Sequence, residues 1–238
     1  MKLHCCTMPK FKNVTHVIFD LDGTLLDSEK VYLEALAKTI EDYGKKYCSK
    51  IAEKVSGSVL EETSRITREL LKINASNEEF AGKFADYAHE KLGNCDLMPG
   101  AEKLVRHFHA NKIPMAIATS SHEESVRHKS EKHKEFFTLF HHIVCAGSDP
   151  EVKLGKPAPD TFLVCASRFP DKPQPECCLV FEDSVNGVKG AIAAGMQVVM
   201  VPDERVPQDL WKLATLRIDS LEYMAPELFG LPAFPKNL

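Results

Sequence analysis

The chain has 238 residues, of which 44% are apolar and 27% charged. A chain of that size and balance buries a full core without staples, which excludes collagen-like, low-complexity and wholly disordered classes. Thirty basic residues against thirty-four acidic ones leave a formal charge of −4, so there is no basic excess to draw a phosphate backbone, and no nucleic-acid partner is expected.

Short apolar runs rich in Val and Ile read as buried parallel strands. In chain order they are Val14–Phe19, Ile113–Ala118, His142–Ala146, Cys178–Phe181 and Val198–Val201. After the first run the pattern changes. Residues 31–97 carry helical candidates at 31–43, 59–72 and 77–92 and no convincing strand. Pro99 then opens a helix with Ala101, Leu104, Val105 and Phe108 at helical spacing, and Pro159 opens another through Phe162, Leu163, Cys165 and Ala166. A third helix, Val185–Ala194, stops at Gly195, a residue suited to a left-handed helix end. Leu216-Arg217-Ile218 predicts an edge strand. The alternation predicts an α/β fold, a doubly wound, mostly parallel Rossmann-like sheet. Its core domain is expected in 1–30 and 98–238, with an inserted helical cap domain in 31–97. Ligands of such sheets sit beyond the carboxyl ends of the strands.

Eight cysteines form no CxxC pair, and Cys5-Cys6 and Cys177-Cys178 are immediate neighbours. Cys145 and Cys165 lie in apolar segments, so reduced and mostly buried thiols in a reducing compartment are expected. No apolar run reaches the ~18 residues of a membrane span. Met1–Asn13 is mixed in polarity and lacks the apolar stretch of a secretory signal. The expectation is a cytoplasmic monomer with no membrane partner.

Polar clusters follow four of these segments. The first strand ends in Asp20-Leu21-Asp22-Gly23-Thr24. Two carboxylates at i and i+2 can both face the crevice, Gly23 permits a tight departure and Thr24 offers a hydroxyl; an acidic turn capping the next helix would look the same. The second strand ends in Thr119-Ser120-Ser121, hydroxyls and amides that make either an anion site or a helix cap. Gly155-Lys156-Pro157 holds a lysine that in most loops would be solvated, and Glu182-Asp183-Ser184 could cap a helix or bind a cation. Four complementary clusters at successive crevice positions exceed what capping requires. By contrast, His107/His109 and His141-His142 lack a metal partner set and read as helix surface and strand edge. Trp211 is expected on the domain edge, and Phe136 and Phe137 read as core.

Asp20-x-Asp22-Gly23-Thr24, Thr119, Lys156-Pro157 and Glu182-Asp183, in that order, resemble the four motifs of the haloacid dehalogenase-like hydrolases, the phosphoaspartate-forming phosphatases. The resemblance covers nearly the whole chain. It implies a phosphoric monoester hydrolase acting on a small phosphorylated metabolite. It further implies that Asp20 attacks phosphorus, and that Asp22 protonates the leaving alkoxide and later deprotonates water. Thr119, Ser120 and Lys156 would bind the phosphoryl group, and Mg²⁺ would sit on Asp20, the Asp22 backbone carbonyl and Asp183. Glu182 stays open between a further metal contact and an outer partner that orients Asp183.

Asp22 favours turnover by hydrolysis, since dehalogenase relatives lack that second aspartate. Tyr32 stands twelve positions after Asp20, where mutase relatives carry a histidine, so phosphoryl return to a sugar is the lesser reading. A binding protein that kept the fold is a third. The cap is expected to choose the leaving group, with Ser56, Ser58 and Tyr32 as candidates. The turn Val55-Ser56-Gly57-Ser58-Val59 has none of the basic residues that related caps often carry.

Overall fold

Strands too apolar to face water on either side must be covered on both, and that requirement organises the molecule. The computed structural model describes residues 11–55, 60–202 and 206–235. Its strands are β1 His16–Phe19, β2 Met115–Thr119, β3 His142–Cys145, β4 Cys178–Glu182, β5 Gln197–Met200 and β6 Leu216–Arg217. They form one parallel sheet in the order β3-β2-β1-β4-β5-β6. Its helices are α1 Ser28–Asp42, α2 Ser49–Val55, α3 Leu60–Leu71, α4 Asn77–Leu92, α5 Ala101–Ala110, α6 Glu123–Lys129, α7 Lys134–Phe137, α8 Asp160–Ser167 and α9 Val185–Ala193. Two compact units result. The first holds the chain to Leu25 with Leu97–Glu123 and Glu135 onward, the second Leu26–Asp96 and Glu124–Lys134.

In the first unit, β1 is central. Phe19 pairs in register with Ile117 of β2 on one side and Phe181 of β4 on the other. The chain winds away from β1 in both directions, so the end of β1 is the point where the strand order reverses and where doubly wound sheets bind ligands. Alternate residues serve alternate faces. Ile18, Ala116, Ala118, Val180 and Val198 pack against Phe162, Cys165 and Ala166 of α8 and Val188 and Ala191 of α9. On the other face Phe19 stacks on Phe181 with ring centroids 4.8 Å apart and meets Phe108 of α5. Cutting a fully buried ring such as Phe162 to alanine costs about 3–5 kcal/mol in cores of this kind.

The fold is the doubly wound parallel sheet the sequence predicts, with β6 as its edge strand. Strand onsets shift by a residue or two. Val14, read as strand, bonds instead to the Phe229 carbonyl at 2.9 Å. Phe136 is buried, and Phe137 and Trp211 are half-buried. The six described cysteines are free thiols, and Cys95, Cys145, Cys165 and Cys178 are buried. Burial pushes the Cys145 thiol up to about 11 and Cys178 to about 12. Among the described residues no helix is long and apolar enough to cross a membrane.

The helical unit has its own core. Leu36 and Ile40 of α1, Phe80, Phe84, Ala88 and Leu92 of α4, and Ile51 and Val55 of α2 are buried together. Ser76 caps α4, its hydroxyl accepting the Glu79 amide at 3.0 Å. Asp42 at the end of α1 accepts from the Tyr87 hydroxyl at 2.6 Å and pairs with Lys83 at 3.1 Å. Residues 124–134, assigned to the core domain on sequence, group with this unit. The reason is local. His128 of α6 stacks on His89 of α4 at 4.0 Å, and Lys132 reaches Asp96 at 2.5 Å.

Candidate active site

Asp20 is the first residue beyond β1. Its amide donates to the Phe181 carbonyl at 2.9 Å, which continues the pairing with β4 and fixes the carboxylate at the switch point, 7% exposed. Lys156 comes from the loop between β3 and α8, with a side chain only 5% exposed. Its ammonium donates to Asp20 Oδ1 at 2.5 Å, Glu182 Oε1 at 2.7 Å and the Ala118 carbonyl at 2.9 Å. An ammonium has three N–H donors, so all are used.

Glu182 is the last residue of β4 and is 1% exposed. Its Oε1 takes Lys156, while Oε2 accepts the Asp183 amide at 3.1 Å and the Ser184 amide and hydroxyl at 3.0 Å. The carboxylate therefore ties the lysine to the turn that carries Asp183. Two glycines make room. Gly187 lies so close that a Cβ there would fall 1.7 Å from Glu182 Oε1. Gly23, at φ +82°, would place a Cβ 2.3 Å from Asp183 Oδ2. Both its left-handed backbone and the close approach of Asp183 exclude other side chains.

Four carboxylates, Asp20, Asp22, Glu182 and Asp183, share this end of the sheet with the Lys156 ammonium. Burial pushes the Asp20 carboxyl up to about 8; Lys156 opposes that rise, and Glu182 and Asp22 add to it. Burial also works against the Lys156 charge, but Asp20 and Glu182 more than offset it and hold the ammonium above its ordinary value. Oxygens of Asp20, Glu182 and Asp183 lie within 4.8 Å of one another. An all-oxygen, negatively charged set of this kind suits a hard divalent cation. Both Glu182 oxygens are engaged, one by Lys156 and the other by the turn that carries Asp183.

At the end of β2, Thr119 is buried and its Oγ1 accepts the Ser121 amide at 3.1 Å. Ser121 in turn donates its hydroxyl to Asp22 Oδ2 at 2.8 Å. Ser120, expected as a phosphoryl contact, is exposed. The structure thus brings Asp20, Asp22, Thr119, Lys156, Glu182 and Asp183 to the carboxyl end of one sheet. The sequence places Ser121 in the polar cluster after β2 without a role of its own, and nothing in it marks Gly187 as the neighbour of Glu182. Both serines lie in a bend beyond β2, so no strand period singles out Ser121 in the sequence. Ser56 and Ser58 lie outside the described residues. Tyr32, on α1, meets the Phe84 ring edge-on at 6.4 Å and carries the Lys129 ammonium 5.7 Å above its own ring.

The profile of the haloacid dehalogenase-like hydrolases matches residues 14–195, and the chain belongs to that family. Within it the protein is a phosphoric monoester hydrolase. It is 50% identical to the "probable pseudouridine-5'-phosphatase" of Drosophila melanogaster, over 94% of this chain and 96% of that one. It is 43% identical to (DL)-glycerol-3-phosphatase 2 of Arabidopsis thaliana, over 93% of each chain. Among solved structures, a HAD family hydrolase from Deinococcus radiodurans R1 has the same fold, with a TM-score of 0.75 at 21% identity, covering 87% of this chain and 92% of that one.

Proposed function

We propose that this hydrolase converts pseudouridine 5′-phosphate to pseudouridine and phosphate through a phosphoaspartate on Asp20. The observation that carries the mechanism is the buried Lys156 bonded at 2.5 Å to Asp20 Oδ1 at the switch point. The substrate rests on the 50% identity to the Drosophila protein.

One Asp20 oxygen forms the bond to phosphorus as the ester oxygen leaves, which divides one hard displacement into two easier ones. Asp22 gives its proton to the departing oxygen, then takes a proton from the water that cleaves the acyl phosphate. Lys156 exchanges an acceptor for a phosphoryl oxygen, and Thr119, whose Oγ1 already accepts from Ser121, turns its own O–H toward another. Ser120 adds a donor at the open side. Asp20, the Asp22 carbonyl and Asp183 would hold Mg²⁺, which supplies neutralisation of the phosphoryl oxygens when bound. These groups are all used on phosphate, cation and water, so the leaving group is read elsewhere. The helical insert that follows Asp27 is where we place that reading. The protein acts in this account as a cytoplasmic monomer.

The experiment compares kcat/KM for pseudouridine 5′-phosphate, uridine 5′-phosphate, glycerol 3-phosphate and p-nitrophenyl phosphate. Pseudouridine 5′-phosphate should lead by about tenfold or more, a margin that pocket contacts routinely supply. The 43% identity to the Arabidopsis enzyme supports a second reading, and a lead for glycerol 3-phosphate would favour it.

A further inference from the structure

We propose that Ser121 is a positioning residue for Asp22, holding one carboxylate oxygen so that the other carries the transferred proton. The proposal rests on the reading of Asp22 as acid and base. Ser121 Oγ donates to Asp22 Oδ2 at 2.8 Å. The two residues follow neighbouring strands, since β1 and β2 pair Phe19 with Ile117. Asp22 is three residues past one partner and Ser121 four past the other.

The hydroxyl is not a free rotor on a loop. The Ser121 amide is bonded to Oγ1 of Thr119 at 3.1 Å, and Thr119 is itself buried as the last residue of β2. The serine backbone is therefore fixed by the sheet. An aspartate beyond a strand end turns about its last side-chain bond at little cost, and an acid that must meet a leaving oxygen at hydrogen-bond distance cannot be left to do so. With Oδ2 held, Oδ1 is the oxygen we assign to carry the transferred proton. As that proton passes to the ester oxygen, Asp22 becomes a carboxylate, and a hydroxyl donates more strongly to a carboxylate than to the neutral acid. The contact thus strengthens during P–O cleavage, which is when it raises the rate. In the second half-reaction the same Oδ1 receives the proton of the attacking water.

The test uses leaving groups of different basicity. A primary alkyl phosphate needs the proton, whereas p-nitrophenolate departs with little help. The parameter is kcat/KM, which reports the first irreversible step and so excludes release of phosphate. The alkyl probe is pseudouridine 5′-phosphate, or glycerol 3-phosphate if only that is turned over. Ser121→Ala should lower kcat/KM for the alkyl probe about tenfold and for p-nitrophenyl phosphate less than about twofold. Ser121→Thr should restore most of the loss. In an Asp22→Asn background, Ser121→Ala should change neither substrate further. A common loss on both substrates, or no loss on either, while Asp22→Asn alone discriminates between them, overturns the role of Ser121 and leaves Asp22 as the acid. An Asp22→Asn variant that does not discriminate overturns both.

Discussion

Glu182 Oε1 occupies the space that a side chain on Gly187 would need, with only 1.7 Å between that oxygen and an ideal Cβ. The same oxygen accepts from Lys156 at 2.7 Å. A methyl group on a helix after β4 is thereby linked to the cation beside Asp20. Gly187→Ala should displace the Glu182 carboxylate and lower kcat/KM by about tenfold or more, because a small shift of a buried charged group in a site is costly. Far-UV circular dichroism should remain native, since alanine favours the helix. Wild-type kinetics in this variant would mean that the contact is without consequence.

Lys156 is saturated by three acceptors and its side chain is 5% exposed. Lys156→Ala should lower kcat/KM by about a hundredfold or more, the range seen when one donor to a developing oxyanion is removed. Lys156→Arg should not restore it, because a planar fork cannot meet three acceptors arranged around a point charge. Loss of less than about threefold in the alanine variant would return the residue to a structural role.

Activity should vanish after thorough treatment with EDTA and return with Mg²⁺. Asp183→Ala should raise the half-saturating Mg²⁺ concentration or abolish activity. Gly23→Ala should do likewise, because its Cβ would press on Asp183 Oδ2. Full activity in the chelated protein would contradict the cation site.

The helical unit should be acid-sensitive. The Tyr87 hydroxyl and Lys83 hold the Asp42 carboxyl down from 3.8 to about 2. A carboxylate lowered on folding stabilises above its unfolded value and loses that contribution as pH falls through the folded one. The urea midpoint should therefore drop between about pH 4 and pH 2, and Tyr87→Phe should flatten that limb. An unchanged slope in the variant would show that Asp42 is not responsible.

How far the sequence could be read depended on whether a residue's partners were encoded nearby. Strands such as Cys178–Phe181 were readable because burial on both faces demands unbroken apolar runs. Asp20, Asp22 and Asp183 stood out because each follows a strand, and Lys156 because it stands between a glycine and a proline shortly before a helix, at the crevice the topology creates. Helix α6 did not, because only Val126 and Lys129 of its residues are buried, leaving no apolar stripe. Helix α2 has seven residues, too few to display a period. The role of Glu182 stayed open because spacing does not say which way each carboxylate oxygen points. Ser121 was obscured by its neighbour, since two adjacent serines look alike until the bend after β2 leaves one exposed and turns the other toward Asp22.

The most direct test of the account is kcat for Asp20→Asn, measured with saturating Mg²⁺ on a preparation whose circular dichroism matches the wild type. An amide keeps the shape but is a poor nucleophile and forms no acyl phosphate, so kcat should fall by about a thousandfold or more. A variant that keeps a tenth of wild-type turnover, at about 1.4 kcal/mol of lost stabilisation, would contradict covalent catalysis at Asp20.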